Sequence, residues 1–133
     1  MQMTPEFMAL AGTLILALVQ ILLAAGARTA ELGLKWNAGA RDGEPTPPGK
    51  LAGRLLRAQA NLFETLPIFI AAILMAQMTA RDGTVLTLVG SHLYLFGRLL
   101  HLPLYALGVS YIRSLAWGVS FVGLVMVLAA LFV

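Results

Sequence analysis

Four long apolar stretches alternate with short polar segments along this sequence of 133 residues. Each stretch has about the 20 or more residues that a helix needs to cross the hydrocarbon core of a bilayer. Glycine, proline and charged residues fill the segments between them and interrupt regular structure there. The pattern predicts an all-α integral membrane protein, a four-transmembrane-helix bundle in a single domain over residues 1–133. The predicted helices cover about residues 5–36, 51–79, 84–107 and 112–133.

Composition supports a membrane protein and excludes several other classes. Hydrophobic residues make up 59% of the chain and charged residues 11%, whereas soluble domains average about 25% charged residues. The mean hydropathy is +0.86. A net charge of +3 is too small to indicate a nucleic-acid partner. The lack of cysteine excludes disulfides, thiolate metal ligands and a protein cysteine nucleophile, so any thiol chemistry must use the sulfur of a substrate. No metal site is predicted.

The basic residues favour one orientation in the membrane. Of the nine lysines and arginines, only Arg81 falls on the side opposite the segments 37–50 and 108–111. Basic residues concentrate in cytoplasmic loops, so both segments are predicted to be cytoplasmic loops, with both termini outside. We expect a multi-pass protein of a bacterial inner membrane, surrounded by membrane lipid. Arg28 and Glu31 lie three residues apart near the loop end of the first helix and are predicted to pair.

The second predicted helix begins with a polar stripe. Arg57, Asn61 and Glu64 stand at i, i+4 and i+7 and so share one helical face. Arg54 lies one turn earlier on nearly the same side. A polar stripe that runs into an apolar segment is costly in lipid, so it should face protein or water. The alternative is an ion pair at a helix end, whose side chains reach towards the lipid headgroups.

A second stripe lies on the third predicted helix, where Tyr94, Arg98, His101 and Tyr105 stand at i, i+4, i+7 and i+11. A charge as deep as Arg98 must face the bundle interior or a cavity. We predict a pair between Arg98 and Glu64, or a bound ligand that links them. The alternative is a buried ion pair that only fixes helix register. Taken alone, His101 is typical of a hydrogen-bonded core histidine, and Tyr105 of an aromatic residue at the membrane interface.

The fourth predicted helix opens with Arg113 and Ser114, and Trp117 follows one turn later. Each of Arg113 and Trp117 alone is typical of an anchor at the membrane interface. Together, however, four arginines reach the same end of the bundle, and guanidinium groups bind carboxylates in a bidentate fork. The sequence therefore predicts an anion site at that end. The four are Arg54, Arg57, Arg98 and Arg113.

The run from Arg57 to Pro67, RAQANLFETLP, resembles the second-helix signature of the MAPEG family, the membrane-associated proteins of eicosanoid and glutathione metabolism. That signature is arginine, alanine, two variable positions, asparagine, two variable positions and glutamate, with a proline three positions beyond. The run from Tyr94 to Tyr105 and the Arg113-Ser114 step resemble the family as well. The resemblance covers essentially the whole chain. It implies a bacterial-type member that forms a homotrimer and binds glutathione between neighbouring subunits at the cytoplasmic end.

The resemblance also implies roles for individual residues. Three matching positions on the second helix hold the charged and amide groups of glutathione, and further matching positions lie on the third helix. The candidate glutathione-binding residues are Arg54, Arg57, Asn61, Glu64, Arg98, His101 and Tyr105. Glutathione would be a co-substrate, since its sulfur takes part in the reaction.

Arg113 matches the arginine that stabilises the thiolate in catalytic members, because a fixed cation lowers the pKa of a nearby thiol. Ser114 is a second candidate to assist the thiol. The chain departs from other members at Thr65 and Trp117, where some have tyrosine. Members also often carry an arginine near the end of the first helix, where the nearest basic residue here is Lys35.

The resulting hypothesis is a membrane-bound glutathione-dependent transferase or peroxidase. Glutathione would enter from the cytoplasm, while an apolar electrophile or lipid hydroperoxide would enter from the bilayer. Two alternatives stay open: a non-catalytic member that binds a lipid or a partner at the same interface, and a small four-helix exporter. An exporter would need an acidic residue deep in the membrane, whereas Glu64 lies near a helix end among arginines.

Overall fold

A computed structural model describes residues 2–133, and the regular elements in this range are five helices. Four of them are long and apolar enough to cross a membrane, the exception being a short second helix. The chain is therefore an integral, multi-pass membrane protein built as a four-helix bundle, as predicted. Met1, the first residue of the predicted domain, lies outside the described residues. The helices are α1 (Pro5–Leu32), α2 (Leu34–Ala38), α3 (Lys50–Met78), α4 (Val85–Ala106) and α5 (Ile112–Ala130).

The first helix ends earlier than the sequence predicts. Its predicted end is residue 36, but α1 stops at Leu32 because Gly33 adopts φ +90°, a backbone conformation that suits glycine. The short α2 then begins. At the far end of the chain, α5 stops at Ala130 rather than at the predicted residue 133.

An ion pair and its hydrogen bonds hold the long loop against the end of α1. Arg28 Nη1 lies 2.8 Å from Glu31 Oε2, which confirms the predicted pair. Arg28 also donates to the carbonyl of Thr46. The other oxygen of Glu31 accepts the backbone N–H of Gly49 at 2.9 Å, immediately before α3 begins. The pair therefore ties α1 to the residues that lead into α3.

A buried carboxylate also joins two helices at the opposite end of the bundle. Glu6 is 2% exposed, and its Oε1 accepts the Gly83 N–H at 2.6 Å and the Thr87 hydroxyl at 2.7 Å. Both donors lie where α4 begins, so a negative charge sits at the positive end of that helix. Glu6 thereby fastens the start of α1 to the start of α4.

The helices α4 and α5 pack with their backbones nearly in contact. A β-carbon added to Gly90 would lie 2.7 Å from the carbonyl oxygen of Gly123, and one added to Gly97 would lie 2.8 Å from the nitrogen of Ser120. Small residues allow such close approach in membrane bundles, where packing rather than water exclusion holds helices together. This is the most extensive contact between any two helices in the described part of the chain.

Candidate functional site

A polar cavity of about 360 Å³ lies where α3, α4 and α5 meet, beside the turn that joins α4 to α5. Five of the nine predicted site residues line it, together with Trp117. Because α4 ends and α5 begins at this turn, side chains far apart along the chain come together at one end of the bundle. The lining residues are Asn61, His101, Tyr105, Arg113, Ser114 and Trp117.

Arg98 is buried and is paired differently from the prediction. Its side chain is 1% exposed, and its Nη1 donates to Asn61 Oδ1 at 2.8 Å. Glu64 is exposed, and the ion pair found within residues 2–133 joins Arg28 to Glu31 instead. The predicted direct pair between Arg98 and Glu64 is therefore wrong. A link between them through a bound ligand stays a prediction.

The register of α3 against α4 explains this difference. Asn61 meets Arg98, and the hydroxyls of Thr65 and Tyr94 lie 2.8 Å apart. One turn towards the end of α3 therefore corresponds to one turn towards the start of α4. These two contacts define the face of α3 that meets α4. Glu64 lies about 80° around the helix from the centre of that face, given about 100° per residue. Glu64 consequently lies to one side of the α3–α4 contact and forms no ion pair with Arg98 in the described residues.

Two buried polar atoms near the cavity have no hydrogen-bond partner in residues 2–133. They are Arg98 Nη2 and His101 Nδ1, one turn apart on α4. Buried polar atoms in proteins are nearly always paired with protein, water or ligand. Arg98 Nη2 is a donor and could be paired by a carboxylate or carbonyl oxygen.

Arg113 is held at the cavity by an aromatic ring. Its guanidinium carbon lies 4.5 Å from the centre of the Tyr105 ring, which is within the range of a cation–π contact. The His101 ring lies 5.4 Å from the same ring, tilted by 58°. The three side chains therefore form a short row of contacts from the last turns of α4 to the first turn of α5.

The other two arginines of the predicted site lie off the cavity. Arg54 Nη1 reaches the carbonyl of Ala106 at 3.5 Å, and a β-carbon on Gly108 would lie 2.5 Å from Arg54 Nη2. Arg54 is thus placed at the negative end of α4, where a cation is favourable. Arg57 is exposed, with its Nη1 3.1 Å from the position that a β-carbon on Gly53 would take.

An apolar groove of about 430 Å³ runs along α5 and meets the polar cavity at Ser114, which lines both. It follows α5 from Ser114 to Val122, a rise of about 12 Å at 1.5 Å per residue. The sequence does not reveal this groove, because leucine, valine and glycine in a membrane helix carry no distinguishing signal. The groove is lined by Leu93, Ser114, Leu115, Gly118, Val119 and Val122.

Trp117 is the cavity residue that the sequence analysis did not assign to the site. It stacks on Phe121 with ring centres 5.1 Å apart. Its spacing of one turn after Arg113 was the available signal, but a tryptophan near a helix end is also what an interfacial aromatic belt predicts.

A smaller cavity of about 150 Å³ lies near the end of the first helix, where other members of the resembled family often carry an arginine. Arg28 and Arg41 line it, whereas Lys35 is exposed and does not. Arg41 packs over the Trp36 ring, with its guanidinium carbon 4.8 Å from the ring centre. Two guanidinium groups therefore stand near the end of the first helix, from arginines that lie further along the sequence from the expected position than Lys35 does.

Comparison with protein families gives one result. The MAPEG family model matches residues 9–133, which is nearly the whole chain and leaves out only the first four residues of α1 among the helices. Comparison with curated proteins and with solved structures gave no match.

Proposed function

This chain belongs to the MAPEG family, and from that premise we propose that it is a membrane-bound glutathione-dependent transferase or peroxidase. Its substrates would be glutathione and an apolar electrophile or lipid hydroperoxide. Family membership supports a membrane protein of glutathione-related metabolism in general. The arrangement of the site supports the particular activity.

The observation that carries the proposal is the junction of a polar cavity with an apolar groove. The cavity offers an arginine, a histidine, an amide and hydroxyl groups, which suit a charged peptide. The groove offers an almost wholly aliphatic surface along a membrane-spanning helix, which suits an apolar molecule that arrives from the bilayer. Ser114 lies at the junction, so the two substrates would meet beside Arg113.

Arg113 would stabilise the thiolate of glutathione, because a fixed cation favours the charged form of a nearby thiol. In a transferase reaction the thiol loses its proton, the sulfur forms a bond to the electrophilic carbon, and the leaving group departs with its electron pair. In a peroxidase reaction the sulfur attacks a peroxide oxygen and an alcohol leaves. A second glutathione then reduces the sulfenic acid to give a disulfide and water.

The remaining predicted ligands fit a site shared between copies of the chain. Arg57 and Glu64 carry charge but are exposed on α3, and the Arg28 and Arg41 cavity also opens at the surface. A homotrimer would bring such surfaces together, so that glutathione contacts residues of two subunits. The orientation proposed from the basic residues places this end of the bundle in the cytoplasm.

The test is a glutathione titration of the purified protein in detergent, following thiolate absorbance in the ultraviolet near neutral pH. We expect a saturable thiolate signal that is lost in Arg113→Ala. The matched control is Arg81→Ala, which removes an arginine at the opposite end of the bundle and should keep the signal. A folded protein that neither binds glutathione nor forms thiolate would refute the proposal.

Kinetics then separate binding from activation. With a chlorodinitrobenzene electrophile or an organic hydroperoxide, Arg113→Ala should lower kcat on the order of 100-fold, a typical loss when one charge-stabilising group is removed, with a smaller change in KM. A rise in KM with kcat unchanged would contradict a role in stabilising the thiolate. Tight lipid binding without any conjugation would favour the non-catalytic alternative.

A further inference from the structure

We propose that the aromatic ring of Tyr105, rather than its hydroxyl, is a positioning element for Arg113. The inference rests on the proposed function, because it assigns Arg113 a thiolate to stabilise. It adds a reason why one arginine of the four is suited to that task, and it gives Tyr105 a role other than direct contact with glutathione.

The contact is between the cation and the face of the ring. The guanidinium carbon of Arg113 lies 4.5 Å from the ring centre of Tyr105. The guanidinium forms no hydrogen bond and no ion pair with any residue in the range 2–133. Arg113 is half-buried and has a long, flexible side chain, so without the ring it would sample several rotamers at the cavity wall.

The contact with the ring leaves the N–H donors of the Arg113 guanidinium unoccupied. A cation–π contact uses the charge of the group against the ring quadrupole, so the five N–H donors of Arg113 stay available for an anion. Arg98, in contrast, donates from Nη1 to Asn61 and is 1% exposed. Among residues 2–133, Arg113 is the one arginine that lines the polar cavity, and it is held there with its donors free.

Tyr105 is itself held by its ring and not by its hydroxyl. The ring packs at 5.4 Å from the ring of His101, one turn earlier on α4. The hydroxyl forms no hydrogen bond within the described part of the chain. The backbone connection reinforces the arrangement, because only the short turn after α4 separates Tyr105 from Arg113.

The experiment compares Tyr105→Leu with Tyr105→Phe in the full-length protein, with glutathione and a chlorodinitrobenzene electrophile. Tyr105→Leu removes the ring and should lower kcat and the thiolate signal at saturating glutathione by about threefold to thirtyfold, the range expected for one such contact. Tyr105→Phe keeps the ring and should exceed the leucine variant in both quantities by a similar factor. The matched control is Tyr111→Leu, which removes an exposed tyrosine ring from the same turn.

A fluorinated series separates ring electrostatics from packing. Replacing Tyr105 by trifluorophenylalanine keeps the shape of phenylalanine but weakens the negative face of the ring, so its kcat should fall towards that of Tyr105→Leu. Equal kcat values for phenylalanine and its trifluoro analogue would overturn the inference, as would a phenylalanine variant no better than leucine. The wild-type protein distinguishes the two failures: if it forms no thiolate, the proposed function itself is wrong.

Discussion

The close contact between α4 and α5 predicts that Gly123→Ala destabilises the bundle. A β-carbon at Gly123 would lie 2.7 Å from the backbone nitrogen of Tyr94 and 2.9 Å from the β-carbon of Leu93. These atoms belong to the backbone or to its first side-chain carbon, so they cannot rotate away. Overpacking of this kind costs about 1–3 kcal/mol, while alanine regains up to about 1 kcal/mol of helix propensity over glycine. With the full gain in helix propensity subtracted, we expect a net loss of up to about 2 kcal/mol.

Gly118→Ala on the same helix is the matched control. No heavy atom lies within 4 Å of the position that its β-carbon would take. Only the helix propensity changes there, so this variant should be as stable as wild type or more stable by up to about 1 kcal/mol. The free energy of unfolding is measured in mixed micelles as the denaturing detergent is increased, followed by tryptophan fluorescence. Equal stabilities of the two variants would refute the reasoning.

Three further predictions concern buried polar groups and the turn after α4, all measured by the same unfolding assay. Glu6→Leu should cost about 3 kcal/mol of stability, because two donors lose their acceptor. A loss below about 0.5 kcal/mol would show that the hydrogen bonds of Glu6 at the start of α4 are unimportant. Asn61→Leu should cost about 2 kcal/mol, because the buried Arg98 loses its acceptor. Adding Arg98→Leu to this variant should restore part of that stability. A double variant whose loss equals the sum of the two single losses would contradict coupling between Asn61 and Arg98. Gly108→Ala should cost about 1–2 kcal/mol, because Gly108 adopts φ +73°. In an Arg54→Ala background this cost should be smaller. An unchanged cost would exclude a steric conflict between the new β-carbon and Arg54.

Much of the fold follows from the sequence because the signals are long and repeated. Four apolar stretches of membrane-spanning length determine four helices, and the Arg28 and Glu31 pair follows from spacing within one helix. The break after α1 was predicted less well. Gly33 stands alone in a continuous helical pattern, and a single glycine there is compatible with either a continued helix or an end.

The site shows where prediction from one sequence stops. Spacing correctly indicates which residues share a helical face, but it does not say which neighbouring helix that face meets. Asn61 and Glu64 share a stripe, and only the register of α3 against α4 decides that Asn61 reaches Arg98. That register depends on packing between distant segments. The apolar groove along α5 is likewise a property of shape, since its side chains are common to any membrane helix.

The backbone contact at Gly90, Gly97 and Gly123 also has a consequence for motion. Helices that approach this closely cannot slide past one another, so α4 and α5 move as one rigid hairpin that carries Tyr105 and Arg113 together. The contact between α3 and α5 is far less extensive, and Asn61 belongs to α3. The contact of α3 with this hairpin is made chiefly to α4, where Asn61 meets Arg98. A ligand in the polar cavity that touched both Asn61 and Arg113 would add a connection between α3 and α5, the pair of helices that has little contact of its own.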